Sequence, residues 1–271
     1  MKSLTLVPIG GLANRFYAIT SAIAFCKDYN IKLRVIWFKD WGMGADFHSL
    51  FELSEEVDKD NVKIIDAKWY HYIYDRPRKR NLWLPLLWQQ AVFDQILLEK
   101  DVYDKELLNR LIESNNSYLV AFHSFYSHKG ILGYLKPQEV ISRKITEVSS
   151  VFGSNVIGIH IRRTDNINAI LQSPISLFTN VMDKEIRLNP DVCFYVASDS
   201  WEEKKFLKEK YGDRIITFEH EVRRDNSEGI KNAMVELYLL SKTTRIYGSA
   251  SSSYSLLAAN ISCVKLNILS I

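Results

Sequence analysis

The chain has 271 residues, of which 47% are hydrophobic and 25% charged, so its composition is that of a globular protein and not of a disordered or fibrous one. The net charge of +3 is too small to predict a nucleic-acid-binding surface. Cys26, Cys193 and Cys263 are too far apart for a disulfide framework or a zinc site.

The amino terminus and the hydropathy pattern predict a cytoplasmic protein. Met1-Lys2-Ser3-Leu4 leads directly into a short strand, without the apolar segment and cleavage site of a signal peptide. No apolar run reaches the roughly 20 residues that a membrane-spanning helix needs. The few cysteines suit a reducing compartment.

The first half of the chain has an α/β pattern. Four short β-branched or aromatic runs predict strands, and apolar residues from Leu12 to Cys26 recur at helical spacing after the Gly10-Gly11 turn. The predicted strands are Leu4 to Val7, Leu33 to Phe38, Val62 to Ile65 and Tyr118 to Phe122. A further helix is expected to begin near Pro85.

The second half is more regular, with strands and helices in alternation after a helix at Pro137 to Val148. Strands are predicted at Val156 to Ile161, Cys193 to Ala197, Arg214 to Phe218, Arg245 to Tyr247 and Val264 to Ile268. Helices are predicted near Ile175 to Leu188, Trp201 to Lys210, Ser227 to Leu240 and Ser252 to Ala259.

This alternation predicts parallel, Rossmann-like sheets. The polar turn Gly153-Ser154-Asn155 suggests a boundary near residue 150, which gives an amino-terminal α/β domain over 1–150 and a carboxy-terminal ligand-binding domain over 151–271. Two such domains are expected to face a cleft, where a substrate commonly binds.

Charged and polar residues directly follow the predicted strand Val156 to Ile161. Arg162 and Arg163 bring two planar guanidinium groups that match phosphate oxygens in pairs, and Thr164 and Asp165 can orient them. Ligands of open α/β sheets bind at this edge. The alternative, equally weighted for this segment alone, is a salt-bridge cluster that closes a surface loop.

A serine-rich loop follows a later strand and opens a helix. In Gly248 to Ser253, small residues let a ligand approach the backbone, and the hydroxyls of Ser251 and Ser252 with the helix dipole favour an anion. Serines that only cap the helix are the preferred interpretation of this segment by itself. The nearby arginines shift that preference towards a phosphate.

Two acidic residues are further candidates. Glu236 is predicted to lie off the buried face of its helix, where its two oxygens could accept N1–H and N2–H of guanine; an ordinary exposed glutamate is the commoner case. Asp199 ends another strand and either supports the site or caps the helix at Trp201, with capping preferred.

Several of these segments resemble ordered donor-site motifs of the GDP-fucose-dependent fucosyltransferases, including the α1,6 and nodulation-type enzymes. They are HIRRTD at His160 to Asp165, ASDS at Ala197 to Ser200, VELYLLSK at Val235 to Lys242 and GSASSS at Gly248 to Ser253. GGLANR at Gly10 to Arg15 resembles the first loop of the α1,2 and protein O-fucosyltransferases.

The resemblance implies a GT-B fold, an inverting mechanism and no metal or other cofactor, with a GDP-sugar as donor. The domain over 151–271 would bind the GDP-sugar, and the domain over 1–150 would lie on the acceptor side. It also assigns roles to residues. Arg162 and Arg163 would hold the β-phosphate, His160 and Glu236 would lie at guanine, and Ser251 or Ser252 would bind phosphate. The chain departs from the α1,6 pattern at Asn166 and Ile170, where those enzymes carry a lysine and the glutamate proposed as base.

The base that accepts the proton of the acceptor hydroxyl is therefore not assigned. Candidates are Asp165 and the first-half residues Asp40, Asp46, His48 and His123. Asn14 and Arg15 either contact donor or acceptor or simply begin the first helix. The Asp58-Lys59-Asp60 segment matches the Asp-x-Asp pattern of a metal-binding carboxylate pair, but its polar surroundings predict a solvated turn.

A basic segment with Arg76, Arg78, Lys79 and Arg80 precedes several large apolar residues. It could contact the anionic inner face of a membrane, where a lipid-linked glycan acceptor would lie, or form a solvated loop, which is the preferred interpretation. The sequence thus predicts transfer of fucose or a related sugar from GDP to a glycan hydroxyl. A noncatalytic GDP-sugar or anion-binding module and a transferase for another nucleotide sugar are the alternatives.

Overall fold

The structure, a computed structural model, describes residues 2–68, 91–127, 129–164, 166–220 and 223–271. The chain divides into two compact units: unit 1 comprises Met1–Gln138 with Asp225–Ser227, and unit 2 comprises Glu139–Arg224 with Glu228–Ile271. The helix Glu139–Ser149 belongs to unit 2, so the division lies before the predicted position. The Gly153-Ser154-Asn155 turn separates this helix from the next strand and does not mark the boundary.

Unit 1 is built on a five-stranded parallel sheet with the strand order β4-β2-β1-β6-β5. Its strands are β1 (Ser3–Pro8), β2 (Lys32–Trp37), β4 (Val62–Asp66), β5 (Gln95–Leu97) and β6 (Asn116–Ala121). The described helices of this unit are α1 (Leu12–Asp28) and α2 (Leu107–Glu113). The α1 helix buries residues around most of its circumference, as expected for a helix that packs on a central strand.

The four predicted strands of the first half and the first helix are present. The short strand β5, the helix α2 and an antiparallel pair of β3 (Phe51–Leu53) and β7 (Leu135–Pro137) were not predicted. Strands of three residues are too short to show alternation, and pairing across such a long sequence separation leaves no local signal.

Unit 2 is built on a second five-stranded parallel sheet with the order β10-β9-β8-β11-β12. Its strands are β8 (Val156–Ile161), β9 (Cys193–Ser198), β10 (Ile215–Ile216), β11 (Arg245–Ser249) and β12 (Lys265–Leu269). The described helices of this unit are α3 (Glu139–Ser149), α4 (Ile167–Gln172), α5 (Ile175–Leu188), α6 (Trp201–Tyr211), α7 (Ser227–Ser241) and α8 (Ser253–Ser262).

The register of unit 2 brings the predicted polar segments to one edge of its sheet. Ile161 lies opposite Ser198 on β9, and His160 lies opposite Gly248 on β11. Every residue of the central strand β8 is buried, which matches the apolar run expected of an interior parallel strand. The side chains that follow these strands therefore share the carboxyl edge, as predicted.

Among the described helices, none is long and apolar enough to cross a membrane. The basic segment with Arg76, Arg78, Lys79 and Arg80 and the helix expected near Pro85 lie outside the described residues. Membrane contact through these side chains stays a prediction.

Candidate functional site

The carboxylate of Asp199 organises the carboxyl edge of unit 2. Its Oδ1 accepts the backbone N–H of Arg163 at 2.7 Å, and its Oδ2 accepts the hydroxyl of Thr164 at 2.7 Å. The same Oδ2 lies 3.1 Å from Nε of Arg162 and 3.2 Å from Nη2 of Arg224. Two guanidinium groups, from the β8 end and from the segment before α7, thus meet at one oxygen.

The charge state of Asp199 follows from these neighbours. Burial would raise the pKa of the carboxyl, but Arg162, the Thr164 hydroxyl, the Arg163 amide and Arg224 together outweigh that effect, so its pKa is lowered. Asp199 is therefore ionised at neutral pH. It holds both guanidinium groups in place before any ligand arrives, which is the condition for preorganised charge.

Asp199 does not cap α6, so the preferred sequence interpretation of this residue is wrong. Ser200 is the capping residue, and its hydroxyl accepts the backbone N–H of Glu203. A serine directly before the helix can close the cap itself, which leaves Asp199 to bridge the ends of β8 and β9. Supporting the site was the alternative prediction for Asp199; its contacts with Arg162 and Arg224 agree with that role, which stays a prediction.

The two adjacent arginines point to different partners. Nε of Arg163 pairs with Glu203 Oε1 at 2.6 Å, whereas Arg162 shares Asp199 with Arg224. The predicted phosphate-binding role of Arg163 is not tested by these contacts. Arg224 was missed by the sequence analysis because Arg223-Arg224 lies in a charged loop segment without a motif.

The serine loop has an unusual backbone conformation at Ser251. Ser251 has a φ of +54°, in the left-handed region that non-glycine residues seldom occupy. Asn166 donates from Nδ2 to the Ser251 carbonyl oxygen at 2.9 Å, and the buried Ser249 hydroxyl accepts the N–H of Arg162 at 3.0 Å. Ser252 is the N-cap residue of α8, yet its side chain makes no capping hydrogen bond. The hydroxyl of Ser252 is therefore not used to cap the helix.

His160 lies beneath this edge with 4% exposure, and its ring stacks on Tyr254 with 4.9 Å between centroids. Burial, followed by the positive charge of Arg162, lowers the pKa of the imidazole to about 4. The ring is thus neutral at pH 7. Its predicted contact with guanine has no test among these observations.

Glu236 is 5% exposed, so the prediction that it lies off the buried face of its helix is wrong. Apolar positions alone suggested one buried stripe, but α7 is covered on several sides. Oε1 of Glu236 pairs with Nζ of Lys204, whose side chain is 1% exposed, and lies 3.5 Å from Nε2 of His220. Lys204 supplies the countercharge that lets a carboxylate be buried here.

A cavity of about 650 Å³ opens beside Asp199 at the same sheet edge. Its walls come from the ends of β8 and β9, the first turn of α6 and the segment after β10. The lining residues are Arg163, Thr164, Asp199, Ser200, Trp201, Glu202, Glu219 and His220.

In unit 1, Arg15 ties the loop after β1 to the end of β2. Its side chain is fully buried, donates from Nε to the Gly10 carbonyl at 2.8 Å and pairs from Nη2 with Asp40 Oδ2 at 2.8 Å. The guanidinium also lies over the Trp37 ring at 4.8 Å. These contacts support a structural role at the start of α1. Binding of a substrate by Asn14 or Arg15 stays a prediction.

The candidate bases remain unassigned. Asp165 lies outside the described residues, and Asp40 is engaged by Arg15. His123 stacks on Tyr103 with 4.8 Å between centroids, and burial lowers its pKa. Asp46 pairs with Lys39 on the surface, and the ring of His48 lies 3.2 Å from the Ile64 carbonyl.

The Asp58-Lys59-Asp60 segment forms a solvated turn, as predicted. Asp58 accepts the backbone N–H of Asp60 and the side-chain amide of Asn61. Within the described ranges, no group of three or more His, Cys, Asp and Glu side chains could hold a metal ion.

Two α/β units, each with a five-stranded parallel sheet, define the GT-B-like fold that the sequence predicted. The same fold occurs in solved fucosyltransferases. The NodZ α-1,6-fucosyltransferase from Bradyrhizobium, soaked with GDP-fucose, matches 95% of this chain and 92% of its own at a TM-score of 0.66 and 16% identity.

Two further structures have this fold. FUT1 of Arabidopsis thaliana, a mutant in complex with GDP, matches 98% of this chain and 70% of its own at a TM-score of 0.67 and 16% identity. POFUT1 in complex with GDP-fucose matches 100% and 99% at a TM-score of 0.58 and 9% identity. Neither a family model nor a curated protein matches the sequence. The similarity to the three solved structures shows that the chain has the fold of GDP-fucose-dependent fucosyltransferases.

Proposed function

We propose that the protein is a glycosyltransferase that moves fucose from GDP-fucose to a glycan hydroxyl, with inversion and without a metal. The observation that carries this proposal is the pair of guanidinium groups that Asp199 holds at the carboxyl edge of unit 2. The shared fold supports it, because similar structures contain GDP or GDP-fucose.

The chemistry follows from the charge that develops on the leaving group. When the bond between the anomeric carbon and the β-phosphate oxygen breaks, negative charge grows on the phosphate and positive character on the sugar ring. Arg162 and Arg224 would stabilise that negative charge with fixed forks. Ser251 and Ser252, at the start of α8, would donate to the same phosphates.

Inversion requires that the acceptor hydroxyl attack from the face opposite the leaving phosphate. The hydroxyl proton then passes to a base, for which Asp165 is the donor-loop candidate. A cytoplasmic location, with a lipid-linked glycan as acceptor, belongs to the same proposal. The motif resemblance and the fold support fucose as the sugar.

A panel of nucleotides provides the first test. GDP should raise the melting temperature of the protein more than UDP, ADP or CDP at equal concentration, because a ligand that binds only the folded state stabilises it. Transfer is then measured with GDP-fucose and a glycan library, followed by mass spectrometry of the products. Binding of GDP without any product would favour the noncatalytic binding module, and preference for UDP would favour another nucleotide sugar.

A further inference from the structure

The short helix α4 contacts the serine loop, Gly248 to Ser253, through the residues that cap its two ends. Asn166, its N-cap residue, donates from Nδ2 to the Ser251 carbonyl oxygen at 2.9 Å. Ser173, its C-cap residue, accepts the backbone N–H of Ala250 at 2.8 Å with its hydroxyl oxygen. Both ends of one helix therefore hold successive residues of the loop to which the proposed function assigns the phosphates.

These two hydrogen bonds lie on either side of an unfavourable backbone torsion. Ser251 has a φ of +54°, a conformation that the Cβ atom disfavours in every residue except glycine. The Ala250 N–H precedes this torsion along the chain, and the Ser251 carbonyl follows it. Such a conformation persists where the surrounding structure imposes it. The two cap residues of α4 impose it here, because each fixes the backbone on one side of the torsion.

The helix α4 is itself anchored mainly by hydrogen bonds. It has six residues, and a helix of that length is marginal by itself in water. Ala169 is fully buried, whereas Ile167 and Leu171 are exposed, so apolar burial contributes little to holding the helix. Its carboxyl end is tied to the sheet, since the Ser173 hydroxyl donates to the Leu269 carbonyl oxygen at 2.6 Å. The amino end of α4 is thus a fixed point from which Asn166 can hold the serine loop.

The amide of Asn166 makes two contacts of opposite polarity. Its Oδ1 accepts the backbone N–H of Ala169 at 3.1 Å, which caps α4, while its Nδ2 donates to the Ser251 carbonyl. A serine at this position would keep the capping acceptor but has no amide nitrogen for the loop. Asn166 stands where the α1,6 enzymes carry a lysine, so a role for its amide belongs to this chain and not to that pattern.

We propose that Asn166 is a positioning residue for the donor phosphates, and that it acts through Ser251. By holding Ser251 at positive φ, it orders the serine loop and the start of α8 before the nucleotide arrives. The loop is also joined to the arginine edge, since the Ser249 hydroxyl accepts the N–H of Arg162. The phosphate role of the loop rests on the proposed function. Asn166 itself touches no reacting atom.

Hydrogen exchange tests whether Asn166 holds the loop. Ser173 is fully buried, and its removal would leave backbone groups unpaired, so Asn166→Ser is the better variant. Asn168→Ser is the matched control, because Asn168 is exposed on the same helix and the contacts with the loop do not involve it. Without nucleotide, amides 250–253 should exchange faster in Asn166→Ser than in the wild type, and at the wild-type rate in Asn168→Ser. Equal protection in Asn166→Ser and the wild type overturns the inference.

Calorimetry tests the consequence for the ligand. Asn166→Ser should weaken GDP and pyrophosphate about three- to tenfold, because part of the binding free energy must then order the loop. Guanosine, which has no phosphate, should bind Asn166→Ser and the wild type equally. A general loss of structure would instead weaken guanosine and GDP alike, and that result would overturn the positioning role.

The substitution Ser251→Gly supplies a rescue. Glycine adopts positive φ without strain, so the loop should depend less on Asn166. Ser251→Gly is expected to weaken GDP, because it removes a hydroxyl from the loop. In that background, however, adding Asn166→Ser should weaken GDP by less than about twofold. An equal loss in both backgrounds would show that Asn166 does not act through the φ of Ser251.

Failure of the proposed function gives a different result. If GDP does not bind the wild-type protein, the proposed function falls and this inference falls with it. If GDP binds in a manner that depends on Arg162 and Asn166→Ser binds it as the wild type does, the inference alone is overturned.

Discussion

Asp199 holds two guanidinium groups at the carboxyl edge of unit 2. Its Oδ2 holds Arg162 and Arg224, while Glu203 turns Arg163 towards α6. A phosphate bound beside Asp199 would therefore meet one arginine from the β8 end and one from the segment before α7. The two neighbouring arginines of the sequence are not equivalent.

The first prediction concerns this difference. Arg162→Ala should reduce transfer by roughly a hundredfold or more, because it removes preorganised charge from the leaving phosphate. Arg162→Lys should restore little, since an ammonium does not replace a planar fork. We expect Arg224→Ala to weaken GDP more than Arg163→Ala does.

Steady-state kinetics with GDP-fucose and calorimetry with GDP measure these effects. Each variant is first compared with the wild type by its melting temperature, so that a folding defect is separated from a binding defect. Near-normal turnover of a well-folded Arg162→Ala protein would refute the role of Arg162.

The second prediction concerns pH and His160. The pKa of this imidazole is lowered from 6.5 to about 4 in the folded protein. Between these two values the unfolded chain binds the extra proton, so stability falls as pH decreases from about 6.5 and the loss is complete below about 4. The full contribution corresponds to about 3 kcal/mol.

His160→Phe should keep the stack on Tyr254 without titrating. Calorimetry at pH 7 and pH 5 should show a smaller decrease in Tm for the variant than for the wild type. Asp199 does not interfere in this window, because its pKa is lowered and its contribution is lost only in stronger acid. Equal decreases in Tm for both proteins would contradict the neutral, buried state of His160.

At the scale of elements, the strand and helix patterns of unit 2 could be predicted closely. Val156–Ile161 and Ile175–Leu188 have the predicted bounds, because β-branched runs and helical apolar spacing are local signals. The contact between α6 and α7 could not be predicted. Lys204 and Glu236 are distant in sequence, and each by itself has the pattern of an exposed residue.

The same limit applies to the candidate site. The sheet edge and Arg162 follow from local sequence, whereas Arg224 and the cavity depend on where the segment between β10 and α7 folds back. Glu219 and His220 in that segment carry no motif. Their position at the cavity depends on how the rest of the chain folds around them.

The third prediction tests the pair that joins α6 and α7. Lys204→Met should cost about 3–5 kcal/mol of unfolding free energy, because it leaves the Glu236 carboxylate buried without its countercharge. The double variant Lys204→Met with Glu236→Gln should recover a large part of that loss, since no charge then remains buried. Urea unfolding measures both, and a double variant no more stable than Lys204→Met would show that the pair is not coupled as described.

At the scale of the whole molecule, the two units share a parallel-sheet architecture but differ at their carboxyl edges. In unit 1, the buried Arg15 fixes the loop after β1 against Asp40. Unit 2 holds Arg162 and Arg224 with part of each side chain exposed. We therefore expect the phosphates of the donor to bind at unit 2, and the acceptor-side role of unit 1 stays a prediction.

The fourth prediction follows from that expectation. Transfer should survive EDTA and gain little from added Mg²⁺ or Mn²⁺, because fixed guanidinium groups would neutralise the leaving phosphate, a task that a cation performs in metal-assisted transfer. Initial rates are measured with GDP-fucose after chelation and after each metal is added back. The Arg162→Ala protein is the matched comparison, since a metal able to replace the guanidinium would rescue it. Loss of wild-type activity on chelation, with recovery on adding metal, would show that Arg162 and Arg224 are insufficient and that a cation takes part in the departure of GDP.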